Sequence, residues 1–65
     1  MKVNGKELSL NNQEFNVEQL LDKLNVNKDK VVVEVDGVII TKEDFFTTKL
    51  KESNIVEVIS FVGGG

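Results

Sequence analysis

The end of the sequence is where residues of the right type and spacing could do chemistry. Three consecutive glycines, Gly63, Gly64 and Gly65, follow an apolar segment directly, and the carboxylate of Gly65 closes the chain. Glycine has no Cβ, so such a segment can pass through a narrow channel and adopt any backbone conformation that an active site demands. Four residues at about 3.5 Å each would reach about 14 Å from a folded body. We predict a folded domain over residues 1–62 and a flexible tail over 63–65.

The Gly65 carboxylate needs activation before it can react. A terminal carboxyl group has an ordinary pKa of about 3.5, so at neutral pH it is an anion and a poor electrophile. Transfer of AMP from ATP would give a mixed anhydride, which a sulfur nucleophile could displace to leave a thiocarboxylate. The chain has no Gly-rich phosphate loop before a helix, because Gly5 and Gly37 are single hairpin glycines. We therefore expect ATP on a partner enzyme and no cofactor bound by this chain.

The composition argues against most other reactive sites. The 65 residues include no Cys and no His, which excludes a disulfide framework and a Cys/His zinc site. Paired carboxylates for acid–base catalysis are not expected, because so small a domain seldom has a water-excluding cleft. Eleven acidic residues against eight basic ones, all Lys, give a net charge of −3. This balance argues against nucleic acid and favours protein partners with basic surfaces. We predict no catalytic and no metal-binding residues.

The start of the sequence predicts the compartment. Its residues are polar and turn-forming, where a secretory signal would have an apolar run of about 7 to 15 residues. No apolar stretch approaches the roughly 20 residues that span a bilayer. We expect a cytoplasmic protein without membrane contact, which is a monomer when free.

Five segments have the alternation or the β-branched content of strands, and they cover residues 1–3, 6–10, 31–35, 38–40 and 55–62. Asn4-Gly5 joins the first two and Asp36-Gly37 joins the next two, and both pairs are strong hairpin signals. The last segment has apolar residues on both faces, which is typical of a central strand. The sequence leaves open which of its faces meets the helix.

One helix is predicted between the two hairpins. Asn16 is a typical N-cap residue, and Gln19 three positions later completes a variant of the capping box. Apolar residues that recur at i, i+3, i+4 and i+7 should form one stripe against the sheet: Val17, Leu20, Leu21 and Leu24. A short helical turn is expected ahead of Phe45 and Phe46. Of these two rings, one should be buried and the other should lie on the surface rim.

The element order β-β-α-β-β-β resembles the ubiquitin-like β-grasp, an α+β fold with a mixed five-stranded sheet and one main helix packed on one face. In that fold the last strand runs through the centre of the sheet beside the first. A partner that takes up Gly65 must also contact the strand before the tail. We therefore expect Ile59, Phe61 and Val62 at a docking surface.

Two segments resemble the ThiS sulfur carriers of thiamine biosynthesis, namely Val-Val-Val-Glu-Val-Asp-Gly at 31–37 and Ile-Val-Glu-Val-Ile-Ser-Phe-Val-Gly-Gly-Gly at 55–65. The resemblance spans the whole chain. It implies that an E1-like, ThiF-type adenylyltransferase activates Gly65, which then carries sulfur, with Gly63 and Gly64 threaded into the partner's active site. It also implies a cysteine desulfurase as sulfur source and a ThiG-type thiazole synthase as acceptor. The chain itself would be no enzyme.

Other functions remain open at this point. The small subunit of molybdopterin synthase also ends in Gly-Gly, but it is longer and typically has prolines before that ending, whereas Pro is absent here. A ubiquitin-like modifier would form conjugates with lysines. A plain interaction domain would have a glycine tail that only frays. Either type of sulfur carrier would exchange an oxygen of Gly65 for sulfur, whereas a modifier or an interaction domain would not.

Overall fold

A computed structural model of the protein describes residues 1–61. In this part of the chain a five-stranded sheet packs against one α-helix. The elements in chain order are β1 (Lys2–Val3), β2 (Lys6–Glu7), α1 (Val17–Leu24), β3 (Val31–Val35), β4 (Val38–Ile40) and β5 (Ile55–Ser60), with 3₁₀ turns at Lys28–Lys30 and Lys42–Asp44. The predicted boundary between a domain at 1–62 and a tail at 63–65 lies outside the described residues and stays a prediction.

The strand order β2-β1-β5-β3-β4 puts the last strand in the centre of the sheet. β5 runs parallel to β1 and antiparallel to β3, and each outer strand pairs antiparallel with its hairpin partner. The predicted α+β class, the mixed five-stranded sheet and the central last strand are confirmed. β2 is shorter than the predicted segment 6–10. After Leu8, whose N–H donates to the Met1 carbonyl at 2.8 Å, β1 has no further residue with which to pair.

Both two-residue turns have the backbone that a twisted hairpin requires. Asn4 and Gly5 have φ angles of 52° and 82°, and Asp36 and Gly37 have φ angles of 51° and 84°. Two successive residues in the left-handed region form a type I′ turn, whose twist matches that of the flanking strands. Asn and Asp tolerate this region better than other residues with a side chain, and glycine adopts it without strain. Both predicted hairpins are confirmed.

The helix α1 begins with a complete capping box. Asn16 Oδ1 accepts a hydrogen bond from the Gln19 N–H at 2.8 Å, and Gln19 Oε1 accepts one from the Asn16 N–H at 2.8 Å. These bonds satisfy donors that the first helical turn leaves without a backbone partner. Asn25 ends the helix in the left-handed conformation, at φ 59°. Both ends of α1 are therefore set by asparagines.

One apolar core lies between α1 and the sheet. Its buried residues are Met1, Val3, Leu10, Val17, Leu20, Leu21, Val31, Val33, Phe45, Leu50, Val56 and Val58. Phe45 is buried and Phe46 is 67% exposed, so the prediction that only one of the two rings would be buried is confirmed. The predicted helical turn ahead of them is the 3₁₀ turn at Lys42–Asp44.

Leu24 corrects the predicted helical stripe, because it is 39% exposed while the other three stripe residues are fully buried. It is the last residue of α1 and borders an open groove beside Val3 and Leu8. The strands of the first hairpin are only two residues long, so they leave this last turn of the helix incompletely covered.

Glu52 ties the start of the chain to the turn before β5. Its Oε1 accepts a hydrogen bond from the Met1 amino group at 3.3 Å, and its Oε2 accepts one from the Leu10 N–H at 3.0 Å. Glu7 Oε2 is a second carboxylate partner of that amino group, at 3.1 Å. Burial alone would lower the pKa of the amino group, but the hydrogen bonds to Glu7 and Glu52 raise the pKa above its ordinary value of 8.0.

Glu52→Gln should lower the midpoint of urea unfolding at neutral pH, because an amide cannot accept both hydrogen bonds through its two terminal atoms. The raised pKa of the Met1 amino group predicts a stabilising contribution that is complete below pH 8.0 and is lost as the pH rises through the folded-state pKa. The wild-type midpoint should therefore fall across that window, and the midpoint of Glu52→Gln should fall less. Circular dichroism at each pH measures both.

Glu14→Gln is the control, because it removes a carboxylate from an exposed ion pair with Lys49. Such pairs contribute little to stability. The midpoint of urea unfolding of this variant should therefore fall above neutral pH as much as the wild-type midpoint does. An equal alkaline loss of stability in Glu52→Gln and in the wild type would contradict the assigned role of the Met1 amino group.

Candidate functional site

β5 is the strand that precedes the glycine tail. Its pairing with β3 continues one residue beyond the strand, because the Phe61 N–H donates to the Lys30 carbonyl at 3.0 Å. The backbone is thus held in the sheet up to Phe61. The other predicted site residues, Val62, Gly63, Gly64 and Gly65, lie outside the described residues. Their predicted roles in docking, threading and sulfur binding stay predictions.

The structure settles which face of β5 meets the helix. Val56 and Val58 are buried in the core, whereas Ile55 and Ile59 are 58% and 52% exposed. The β3 residues opposite them follow the same alternation, because directly opposed side chains share one face of a sheet. We call the side of the sheet turned away from α1 the outer face.

The outer face has exposed apolar side chains along its length. Ile59 and Phe61, the latter continuing the alternation of β5, lie at the end near the tail, Ile39 lies in the middle of the face, and Ile55 lies at the other end of β5. Apolar side chains clustered on an exposed face mark interaction surfaces. The structure brings the predicted residues Ile59 and Phe61 together here. Ile39 was not predicted on this surface. The two-residue turn after β3 could have indicated it, because that turn sets Ile39 opposite Glu34.

Two carboxylates oppose each other in the middle of the outer face. Glu57 of β5 lies directly opposite Glu34 of β3, and Ile39 of β4 continues the same row. Like charges in opposed positions destabilise a sheet. None of the ion pairs within residues 1–61 includes Glu34 or Glu57. The outer face is therefore complementary to a surface that carries Lys or Arg among apolar side chains.

Residues 1–61 have neither a cluster of metal-ligating side chains nor a membrane-spanning helix. No group of three or more acidic side chains in that range is placed to hold a metal ion. No helix there is long and apolar enough to cross a membrane. The predicted absence of catalytic residues, of a bound cofactor and of nucleic-acid contacts stays a prediction.

Comparison with known proteins agrees with this architecture. The model of the ThiS family matches residues 1–65, which is the full sequence. The chain belongs to the ThiS family. The resemblance noted in the sequence is thereby confirmed.

Individual relatives agree over nearly their whole length. The sulfur carrier protein ThiS of Bacillus subtilis (strain 168) is 29% identical over 65 residues, which are 100% of this chain and 98% of the relative. The crystal structure of the thiamine biosynthesis protein ThiS from Geobacter metallireducens superposes with a TM-score of 0.80 at 36% identity, covering 98% of this chain and 96% of that one. A solution structure of a thiamine biosynthesis protein from the same organism has a TM-score of 0.79 at 36% identity, over 98% and 85% of the two chains. The predicted β-grasp fold is confirmed.

Removal of one of the two opposed carboxylates should stabilise the free protein. Glu34→Gln and Glu57→Gln should each raise the free energy of unfolding by about 0.2–1 kcal/mol, because each ends the same repulsion. The double variant should therefore gain less than the sum of the two. Urea denaturation at low and high salt measures these gains, which should shrink as salt screens the charges.

Glu43→Gln is the matched control, since Glu43 is an exposed acidic residue of the 3₁₀ turn at Lys42–Asp44. It should change the free energy of unfolding by less than about 0.5 kcal/mol. Strictly additive gains from Glu34→Gln and Glu57→Gln would show that the two carboxylates do not repel each other.

Proposed function

We propose that the chain is a sulfur carrier for the thiazole part of thiamine, with Gly65 as the residue that bears the sulfur. Membership of the ThiS family and similarity over the full length to the Bacillus subtilis sulfur carrier support this proposal. The structural observation that carries it is the position of β5. The strand lies in the sheet centre and holds the backbone to Phe61, four residues before the end of the sequence. The chain is then a carrier and not an enzyme.

The proposed cycle begins with adenylation of Gly65. Its carboxylate attacks the α-phosphate of ATP, which an E1-like, ThiF-type adenylyltransferase binds, and pyrophosphate leaves. A persulfide, with sulfur from a cysteine desulfurase, then attacks the acyl carbon and displaces AMP. A second thiol cleaves the S–S bond of the resulting acyl disulfide, which leaves the thiocarboxylate and a disulfide. The thiocarboxylate donates its sulfur to a ThiG-type thiazole synthase. Gly63 and Gly64 occupy the channel that leads to each partner's active site, where a side chain would not fit.

The outer face is the proposed docking surface for these partners. Four residues separate Phe61 from the reacting carboxylate, which limits the distance between the two to about 14 Å. An enzyme that holds Gly65 must therefore lie close to Ile59 and Phe61. The opposed carboxylates Glu34 and Glu57 favour a basic partner surface at the same place.

Intact mass spectrometry tests the sulfur chemistry. Incubation with a ThiF-type enzyme, ATP and a sulfur donor should raise the mass by the exchange of one oxygen for sulfur, and fragmentation should locate the change at Gly65. Deletion of Gly65, or addition of one residue after it, should abolish loading without altering the circular dichroism spectrum. Loading that survives either change would contradict the proposal.

The same samples distinguish the alternatives. Larger conjugates on lysines would identify a ubiquitin-like modifier. Transfer of sulfur to the large subunit of molybdopterin synthase, and not to thiazole synthase, would identify a carrier of the molybdopterin type. A chain that is neither loaded with sulfur nor conjugated to lysines would be identified as an interaction domain.

Docking is tested by the rate of adenylation. Ile59→Ala and Phe61→Ala should each lower kcat/KM about tenfold for ATP–pyrophosphate exchange by a ThiF-type enzyme, because each removes a buried apolar contact from the complex. Phe46→Ala is the matched control, since Phe46 is 67% exposed but lies beside the start of α1. It should leave the rate unchanged. Equal rates for Phe61→Ala and Phe46→Ala would exclude the outer face as the docking surface.

A further inference from the structure

The side chain of Asn4 extends the pairing of β1 with β5, and we call this paired edge the seam. β1 ends at Val3, and beyond it Asn4 Nδ2 donates to the Val58 carbonyl at 3.1 Å while Asn4 Oδ1 accepts from the Val58 N–H at 2.7 Å. The carboxamide thus pairs with both backbone groups of Val58, as the backbone of a longer β1 would do. On its β1 side the central strand is held at Val58 by this one side chain, while its other side pairs with β3.

The partner groups explain why this residue is Asn. A carboxamide offers one donor and one acceptor, which match the carbonyl and the N–H of Val58, whereas a carboxylate offers acceptors only. The other hairpin shows the converse. Asp36 Oδ1 accepts from the Ile55 N–H at 2.9 Å and Asp36 Oδ2 accepts from Asn54 Nδ2 at 2.6 Å, so both of its partners are donors. The two turns have nearly identical φ angles, and their first residues differ according to the groups they contact.

Asn4 is also the one asparagine in the sequence that a glycine follows. In such a pair the backbone nitrogen of the glycine can attack the side-chain carbonyl carbon, because no Cβ on that glycine hinders the approach. A bond forms between Gly5 N and Asn4 Cγ, the bond from Cγ to Nδ2 breaks, and Nδ2 leaves as ammonia with the proton of the Gly5 N–H. Water then opens the cyclic imide to aspartate or isoaspartate. A Cβ at Gly5 would meet no atom within 4 Å, so the turn is open to water.

We propose that Asn4 is a deamidation site that the fold protects through Val58. While both hydrogen bonds to Val58 are in place, Asn4 Cγ is held toward β5. Attack by the Gly5 nitrogen therefore requires the carboxamide to leave the seam first, so that the rate is proportional to the fraction of molecules in which the contact between β1 and β5 is open.

The modification prevents the seam from closing as before. A carboxylate at position 4 places an acceptor oxygen against the Val58 carbonyl, and isoaspartate also lengthens the backbone of the turn by one methylene group. Both products add a negative charge to a chain whose net charge is already −3. Deamidation thus loosens, irreversibly, the strand that continues to Phe61. This inference concerns stability and does not depend on the sulfur chemistry.

Peptide mapping by mass spectrometry tests the protection. The full-length protein is incubated at mildly alkaline pH, in buffer and in urea above its unfolding transition. Asn4 should deamidate at least about tenfold more slowly in the folded protein, because its carboxamide can react only in the small fraction of molecules that are locally open. Asn12, which also has a positive φ but precedes Gln13, is the internal control and should stay an amide in both samples. Equal rates for Asn4 in the two samples would overturn the proposal.

Denaturation tests the consequence. The deamidated protein, separated by ion exchange, and Asn4→Asp should both have a folding equilibrium constant about tenfold lower than the wild type, because a part-buried hydrogen bond is replaced by two opposed acceptors. Asn4→Gly keeps the turn but removes the carboxamide. Its folding equilibrium constant should lie between that of Asn4→Asp and that of the wild type. Asp36→Asn is the converse control and should also lose stability. Wild-type stability of either the deamidated protein or Asn4→Asp would overturn the proposal.

Discussion

The parallel pairing of β5 with β1 is the contact on which the rest of the structure depends. It joins the last strand of the chain to the first, so the sheet is complete only when nearly all residues are in place. Only Lys2 and Val3 have registered partners in this seam, and the Asn4 N–H adds one backbone hydrogen bond, to the Val56 carbonyl at 2.9 Å. So short a seam needs other contacts. Asn4 extends it along β5, and Glu52 anchors the Met1 amino group just before β5 begins.

The outer face follows from the small size of the domain. α1 is eight residues long and covers one side of the sheet, which leaves the other side of the central strand in water. Ile55 and Ile59 leave more than half of their surface in water, and the opposed Glu34 and Glu57 repel each other in the free protein. Against a basic and partly apolar partner, both features become favourable. The sheet is therefore better suited to a complex than to the isolated chain.

Local patterns predicted the elements well because turns and caps depend on neighbours only two to four residues apart. Asn4-Gly5, Asp36-Gly37 and the Asn16 capping box needed no information from the rest of the fold. Local patterns could not predict which face of β5 meets the helix, since both faces carry apolar residues. Only the registers of β5 with its neighbouring strands determine it. The bonds from Asn4 to Val58 span 54 positions and that from Leu10 to Glu52 spans 42, so no local pattern could reveal them.

If the tail enters a partner's active site as proposed, the free energy of that step favours docking residues next to the tail. Fixing the backbone of one residue costs about 1–2 kcal/mol, so the proposed threading of Gly63, Gly64 and Gly65 into a channel would cost up to roughly 3–6 kcal/mol. Glycines have no side chains whose burial could offset this cost. Ile59 and Phe61 are 52% and 47% exposed in the free protein, so covering the rest of both side chains would contribute roughly 1.5–3 kcal/mol together, which offsets about half of this cost. Every residue between the docking contact and Gly65 adds to the ordering cost, so contacts at the end of β5 are the most effective ones.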